Sequence, residues 1–350
     1  MMYKTLRNLL FKLDAESAHK LAEIFLSHIA PQPLIEDLMV CNFYYQNEVL
    51  QNQICGLRFQ NPLGIGAGFD KNATMIKGLA TLGFGFLELG TITKRPQSGN
   101  PKPRLFRHIE EKSIQNAMGF NNDGAEKIAS RLKQNYPFAL PLGVNLGKNK
   151  DIAQDDALKD YEGVLKEFLG LGDYFVFNLS SPNTPNLRDL QNENFVDELF
   201  CMARNHTDKP LFLKISPDMA VDSMLRVCEK AISRGASGII ATNTTIDYSL
   251  LKEPKDIGGI SGRVLETKSL KVFKILAQSF FERTTLISVG GIHNATQAYE
   301  RIRLGASLLQ IYSAFIFEGP TLCKQINWEL AGLIRRDGFE NISEVIGVDL

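Results

Sequence analysis

S-V-G-G-I-H-N-A, from Ser288 to Ala295, and L-Q-I-Y-S-A-F, from Leu309 to Phe315, read alike: a short β-rich run ends in glycine or hydroxyl residues and a helical stretch follows. Working outward from this pair toward the N-terminus, the same alternation recurs. It gives eight candidate strands, at roughly residues 62–67, 84–91, 141–146, 173–179, 210–216, 237–242, 285–290 and 306–312. Eight strand-helix units predict a (β/α)8 TIM barrel. A doubly wound open sheet is the structural rival, but its ligand groups would gather at one switch point. Here polar or glycine residues stand at the C-terminal end of every strand. They are Gly68 with Asp70 and Lys71, Thr91, Asn145, the run Asn178 to Asn183, Lys214, the run Thr242 to Thr244, Gly290 with Gly291, and Tyr312 with Ser313. Barrel enzymes keep their chemistry at that end. The interval between the second and third strands is long and holds both K-R-P-Q-S-G-N-P-K-P-R-L-F-R from Lys94 and N-A-M-G-F-N-N from Asn116, which predicts an inserted, substrate-covering loop.

The bulk composition narrows the function classes. The 350 residues are 44% hydrophobic and 22% charged, an ordinary globular balance. Lys plus Arg and Asp plus Glu both number 39, so no net field attracts nucleic acid. Five widely spaced cysteines without a C-x-x-C pair read as a reduced, intracellular chain. Five histidines without ligand spacing make a zinc site a poor expectation.

At the N-terminus, Leu6, Leu9, Leu10 and Leu13 recur at helical spacing, and Leu21, Ile24, Phe25 and Ile29 follow after Asp14, a candidate N-cap. Residues 1–35 thus read as a helical hairpin ended by Pro31 and Pro33, ahead of a barrel over residues 50–350. The hairpin either packs as a core face or lies in a membrane interface, with Lys4, Arg7, Lys12 and Lys20 available to headgroups. Lys4, Arg7 and Lys12 interrupt the apolar run as a signal peptide would not allow, and no segment reaches the roughly 18 apolar residues of a membrane span.

Several motifs carry chemistry. N-P-L-G-I-G-A-G-F-D-K from Asn61 misses the dinucleotide fingerprint because Phe69 replaces its last glycine. Its glycines would instead let backbone approach a flat ring, with Lys71 adding a positive charge. L-F-L-K-I-S puts Lys214 inside an apolar strand, where an ammonium needs an anion; a salt-bridged core lysine is the alternative to a cofactor contact. The Gly290-Gly291 pair and Ser313 stand at the usual barrel phosphate position and suit one phosphate, and G-G-I-S-G-R from Gly258 adds a further glycine-rich stretch. Five amides, Asn116, Asn145, Asn178, Asn183 and Asn243, match the alternating C=O and N–H edge of a cyclic ureide such as a pyrimidine. Ser181, between Asn178 and Asn183 on a loop with Pro182 and Pro185, has no nucleophile elbow. As a base it would need a relay, for which Thr184 and an ordered water are the candidates.

These motifs, with D-A-E-S-A-H-K from Asp14, A-G-F-D-K-N from Ala67, G-N-P-K-P-R-L-F-R from Gly99, N-L-S-S-P-N-T-P from Asn178 and A-T-N-T-T from Ala241, resemble class 2 dihydroorotate dehydrogenases along nearly the whole chain. The resemblance implies FMN held by Ala67, Gly68, Thr91, Asn145, Asn178, Lys214, Thr242, Gly262, Gly291, Tyr312 and Ser313. It implies orotate or dihydroorotate meeting Lys71, Asn116, Ala117, Met118, Gly119, Phe120, Asn178, Asn183, Asn243 and Thr244. Ser181 aligns with the family's base, which takes the C5 proton of dihydroorotate while C6 delivers hydride to the flavin; class 1 relatives carry cysteine there. The resemblance also implies a hairpin docked peripherally on the cytoplasmic side of the cell membrane, admitting a quinone along a path with His19 and Arg107. Ala117 departs from the Arg that many relatives carry in N-R-M-G-F.

The expected function is therefore oxidation of dihydroorotate to orotate in pyrimidine biosynthesis, with FMN as cofactor and a membrane quinone as acceptor. A soluble FMN dehydrogenase using fumarate or nicotinamide, and a phosphate-binding barrel lyase or isomerase, are the rival readings. A membrane-binding protein without catalysis is a third.

Overall fold

The computed structural model describes residues 2–350. Eight parallel strands close into a barrel, running β3 (Leu63–Ile65), β4 (Phe86–Ile92), β7 (Leu142–Leu146), β8 (Tyr174–Asn178), β9 (Leu211–Ile215), β10 (Gly238–Ala241), β12 (Thr285–Val289) and β13 (Leu308–Ile311), which returns to β3. These are the eight expected strands, in chain order around the barrel, with helices on the outside. Buried on both faces, they read as short apolar runs rather than alternating ones. The antiparallel hairpin of β1 (Asn52–Ile54) and β2 (Leu57–Phe59) precedes them.

The lower barrel interior is packed by an aromatic layer, Phe59, Phe86, Tyr174 and Phe212, in edge-to-face contacts. Glycines make room for it: a Cβ on Gly64 would strike the Phe86 ring, and one on Gly143 the Tyr174 ring. The rings and the glycines that face them fill the lower barrel, and the open space lies at the opposite, C-terminal end.

Two insertions roof that end. The long interval after β4 contributes β5 (Leu105–His108) and β6 (Ser113–Asn116), and the one after β10 contributes β11 (Gly259–Gly262); the three form an antiparallel sheet in the order β11-β6-β5. The expected covering loop is thus a small sheet, and the stretch beginning at Gly258 is one of its strands.

At the N-terminus lie α1 (Met2–Leu10) and α2 (Ala15–Ile24), the latter capped by Asp14, whose carboxylate accepts from Ser17 N–H at 3.0 Å. The expectation that Pro31 and Pro33 end this unit needs correction. A third helix, α3, spans Pro33–Phe43 with Pro33 at its first turn, where a missing N–H costs nothing and the fixed φ favours helix. The unit is stitched to the barrel: Tyr3 Oη donates to Ile316 O (2.6 Å), Arg7 to Phe317 O (2.9 Å), and Thr74 Oγ1 to Glu23 (3.0 Å). Arg7, expected to face headgroups, is turned inward by that bond. Lys20 pairs with Glu23 at 2.9 Å, and Lys4 and Lys12 are exposed.

Candidate active site

One cavity of about 1130 Å³ occupies the C-terminal mouth of the barrel and continues outward between the N-terminal helices. Of the residues expected at the cofactor, Ala67, Gly68, Thr91, Asn178 and Lys214 line it, as do Thr242, Gly262, Gly291, Tyr312 and Ser313. Of those expected at the substrate, Lys71, Asn116, Met118, Gly119 and Phe120 line it, and so do Asn183, Asn243 and Thr244. Ser181, His19 and Arg107 line it too, whereas Asn145, Ala117 and Thr184 do not.

Strand ends explain the convergence. Lys214 on β9 reaches Glu88 on β4 at 3.6 Å, and Glu88 is fully buried. The carboxylate also accepts from Asn145 Nδ2 on β7 (2.8 Å) and from Gln310 Nε2 on β13. Lys214 is therefore both the salt-bridged core lysine and a cavity-lining cation, two readings that the sequence set against each other. Glu88 and Gln310 were missed. Their signal was available, because F-G-F-L-E-L-G buries a carboxylate just as L-F-L-K-I-S buries an ammonium.

The amides form a network rather than five free edges. Asn178 Nδ2 donates to Thr91 Oγ1 (3.0 Å) and Asn145 Oδ1 (3.2 Å), while its Oδ1 accepts from Asn243 Nδ2 (3.1 Å) and Ser180 Oγ (3.1 Å). Asn145 lies behind this layer and braces it. Asn183 Nδ2 donates to Asn116 Oδ1 at 3.0 Å, which leaves Asn183 Oδ1 buried without a partner. Gln310 Oε1, also at the cavity, is buried and unpartnered. Buried acceptors of this kind call for a ligand that brings N–H donors, as a flavin ring and a cyclic ureide both do.

Ser181 is buried, and its Oγ accepts from Asn183 N–H at 3.2 Å. No histidine or carboxylate bonds to it among the described residues. Its loop is clamped by Arg188, missed from sequence, which donates to Ser180 O (3.0 Å), Thr244 O (2.9 Å) and Asp218 (2.9 Å). Thr184 Oγ1 is buried without a partner and makes no direct bond to Ser181.

At the opposite wall, burial pulls Lys71 from 10.5 to about 8, against the opposing pull of Glu16, Asp70 and Glu23. Asp70 is a structural acceptor for the N–H groups of Asn72, Thr74 and Met75, and burial raises its pKa. Glycine-rich segments meet at one place: Ser261 and Ser313 share a hydrogen bond at 2.8 Å, and Gly291, at φ +78°, lies against the Glu266 backbone so closely that a Cβ would collide with it. Arg301 stands behind, donating to Gly290 O (2.9 Å), Ser288 Oγ (2.8 Å) and Ser269 Oγ (2.9 Å), and burial lowers its pKa to about 10. This cradle of backbone, hydroxyl and nearby cation fits one phosphate.

Outward, His19 packs edge-to-face on Phe69, 5.3 Å between centroids, and burial followed by Lys71 lowers its pKa to about 4, so the ring is neutral near pH 7. Arg107 stacks 4.5 Å over the Phe11 ring and donates to carbonyls at the end of α1, including Leu10 O at 3.4 Å. Arg104 joins the α2 residue Glu16 through two bonds, 2.8 and 3.2 Å, and holds Asn100 O at 2.7 Å; Asn100 in turn donates to Asn183 O at 3.0 Å. The N-terminal unit and the Ser181 loop are thereby connected through the inserted segment.

Residues 49–334 match the family described as dihydroorotate dehydrogenase. The chain belongs to the dihydroorotate dehydrogenase family. Among similar relatives, the dihydroorotate dehydrogenase (quinone) of Helicobacter acinonychis is 57% identical over the full length of both chains, and that of Nitratiruptor sp. is 53% identical, again over both full lengths. The Eimeria tenella dihydroorotate dehydrogenase in complex with ferulenol has a TM-score of 0.85 at 33% identity, with 96% of each chain covered. Its ligand-free form has a TM-score of 0.86 at 33% identity, covering 96% of this chain and 99% of that one. Dihydroorotate dehydrogenases are flavin enzymes, which agrees with the donor-seeking acceptors and phosphate cradle described above. The family match covers the barrel, while the full-length relatives also extend over the N-terminal helices.

Proposed function

We propose that this protein oxidises dihydroorotate to orotate, the redox step of pyrimidine biosynthesis, with FMN as its flavin and a membrane quinone as the terminal acceptor. The observation that carries the reading is one continuous cavity: it runs from Lys214 and Ser181 in the barrel mouth to His19 on α2 and to Arg107 of β5, which lies against the end of α1. A bound molecule in its inner part and an apolar one entering from outside could share it. The relatives named as quinone enzymes favour this acceptor over fumarate or nicotinamide.

Bound FMN would supply two-electron acceptor chemistry, suited both to a hydride from C6 of dihydroorotate and to reoxidation by a quinone. The residues that would hold it are Ala67, Gly68, Thr91, Asn178, Lys214 and Thr242, with Gly262, Gly291, Tyr312 and Ser313 toward the phosphate cradle and Asn145 bracing from behind. Lys71 meets the substrate carboxylate. Asn116, Asn183, Asn243 and Thr244 frame the ring, and the segment Ala117, Met118, Gly119 and Phe120 covers it. Ser181 Oγ takes the proton from C5 as its own hydroxyl proton leaves through an ordered water to the otherwise unpartnered Thr184 hydroxyl and on toward solvent. Arg188 keeps the loop in place, and burial of Ser181 excludes bulk water from the reacting carbon.

The N-terminal helices would dock on the cytoplasmic face of the cell membrane. Among the described residues, ten of the 17 exposed large hydrophobic side chains fall within the first 40 positions, including Leu34 at 84% and Leu38 at 60% exposure, and such a concentrated apolar patch marks an interaction face. No helix among the described residues is long and apolar enough to cross a membrane. The test is anaerobic mixing with dihydroorotate, followed by addition of a quinone in detergent. Bleaching of flavin absorbance and its rapid return support the proposal; bleaching that only fumarate or nicotinamide reverses contradicts the acceptor.

A further inference from the structure

Glu88 has no place in the chemistry above, yet it is a completely buried carboxylate at the centre of the barrel. Each of its contacts is a donor: Asn145 Nδ2 at 2.8 Å, Gln310 Nε2, and the Lys214 ammonium at 3.6 Å. Those donors arrive from β7, β13 and β9, so one side chain on β4 ties four of the eight strands at a single level. Through Asn145 it also orders the cavity residues Thr91 (2.5 Å from Asn145 Oδ1) and Asn178 (3.2 Å).

The arrangement is polarised. Lys214 lines the cavity and Glu88 does not, so the carboxylate stands behind the ammonium. At 3.6 Å the pair is an ion pair longer than a direct hydrogen bond. Among the described residues the Lys214 ammonium makes no hydrogen bond, and its N–H groups remain free for whatever occupies the cavity. In a low-dielectric interior both charges act on that occupant with opposite signs. A cation beside the ring favours its reduction, which adds negative charge, and an anion behind the cation moderates the effect.

We propose that Glu88 is a positioning residue that sets both the placement and the net charge Lys214 presents to the cavity, and thereby the reduction potential of the flavin; the inference rests on the flavin reading above. E88Q is a suitable probe because it is nearly isosteric. Gln310 Oε1 is buried and unpartnered, so the Gln310 amide can turn to accept from the new side-chain amide.

The experiment is an equilibrium redox titration of the FMN-loaded protein against a reference dye, read by flavin absorbance, for the wild type, E88Q, K214M and the double variant. With the ammonium uncompensated, E88Q should shift the two-electron equilibrium about tenfold toward reduced flavin, which corresponds to about 30 mV. K214M should shift it the other way. The double variant, in which a neutral pair replaces the ion pair, should return to within about threefold of wild type. If E88Q does not fold, the double variant compared with K214M alone decides the matter. A flavin-loaded E88Q with an unmoved equilibrium, or a double variant as displaced as K214M, overturns the inference and assigns Glu88 to barrel stability only. A wild-type protein that takes up no FMN overturns the flavin reading itself and this inference with it.

Discussion

Lys71 gives the site a pH dependence whose sign and size can be worked out. In the ligand-free protein its ammonium is pushed from 10.5 down to about 8, chiefly by burial. A substrate carboxylate placed against it favours the charged form and draws the pKa back toward the ordinary value. Binding must then take up a proton wherever free Lys71 is partly neutral. Affinity should be greatest and nearly flat below about pH 7, and should fall as pH rises through 8. From pH 7 to pH 9 the protonated fraction of free Lys71 drops about tenfold, so the orotate Kd should rise about tenfold. Full restoration across the interval from 8 to 10.5 would correspond to about 3 kcal/mol. Calorimetric titration of orotate into the FMN-loaded protein, in two buffers of different ionisation enthalpy, measures both quantities: about half a proton should be taken up at pH 8. K71M should bind weakly and lose the pH dependence. A Kd independent of pH from 7 to 9, or proton release on binding, would refute the reasoning, because Lys71 would then be neither depressed nor the carboxylate partner.

Other consequences follow from specific contacts. Leu34 and Leu38 are largely exposed, and if they insert into a bilayer each contributes about 1 to 2 kcal/mol. The double change to Ser should weaken vesicle binding at least tenfold in a sedimentation assay while dihydroorotate still bleaches the flavin; unchanged sedimentation would remove these residues from the membrane face. Glu16→Gln weakens the clamp on Arg104, itself buried. The thermal midpoint should fall by an amount equivalent to about 1 to 2 kcal/mol, most of it reappearing in an Arg104→Met background where no cation is stranded. Gly143→Ala drives a methyl into the Tyr174 ring, so urea unfolding should show about 1 to 3 kcal/mol of destabilisation, and Tyr174→Leu in the same chain should recover part of it.

Much of this architecture is legible in the sequence because of how parallel barrels are buried. Each strand is a short apolar run, and the residues that end it are glycines and polar groups with nowhere else to go. The C-terminal clustering from Gly68 to Ser313 is therefore visible in the sequence itself. What escaped reading depends on long-range pairing. Glu88 was invisible as a partner of Lys214 because 126 positions separate them, although each alone violates the apolar pattern of its strand. Strand β11 was missed because a Gly-Ile-Ser-Gly run has little strand propensity and is held by β6. Pro33 was read as a stop, whereas the same ring starts a helix equally well. The amide of Asn145 looked equivalent to those of Asn178, Asn183 and Asn243, since nothing local tells a bracing amide from one that lines the cavity. Glu16 and Arg104 show the same limit, being an ordinary surface pair until the fold brings α2 against the inserted segment.

The proposed oxidation depends above all on Ser181 taking the C5 proton. Stopped-flow reduction of the FMN-loaded protein by dihydroorotate, in wild type and Ser181→Ala across pH 6 to 9, tests it without involving quinone or membrane. The Ser181→Ala protein, with substrate still bound, should lose at least about a hundredfold in the rate of flavin bleaching, the scale of a positioned general base, and Ser181→Cys should retain part of it. A Ser181→Ala rate equal to wild type throughout that pH range would contradict the account and move the proton to another group.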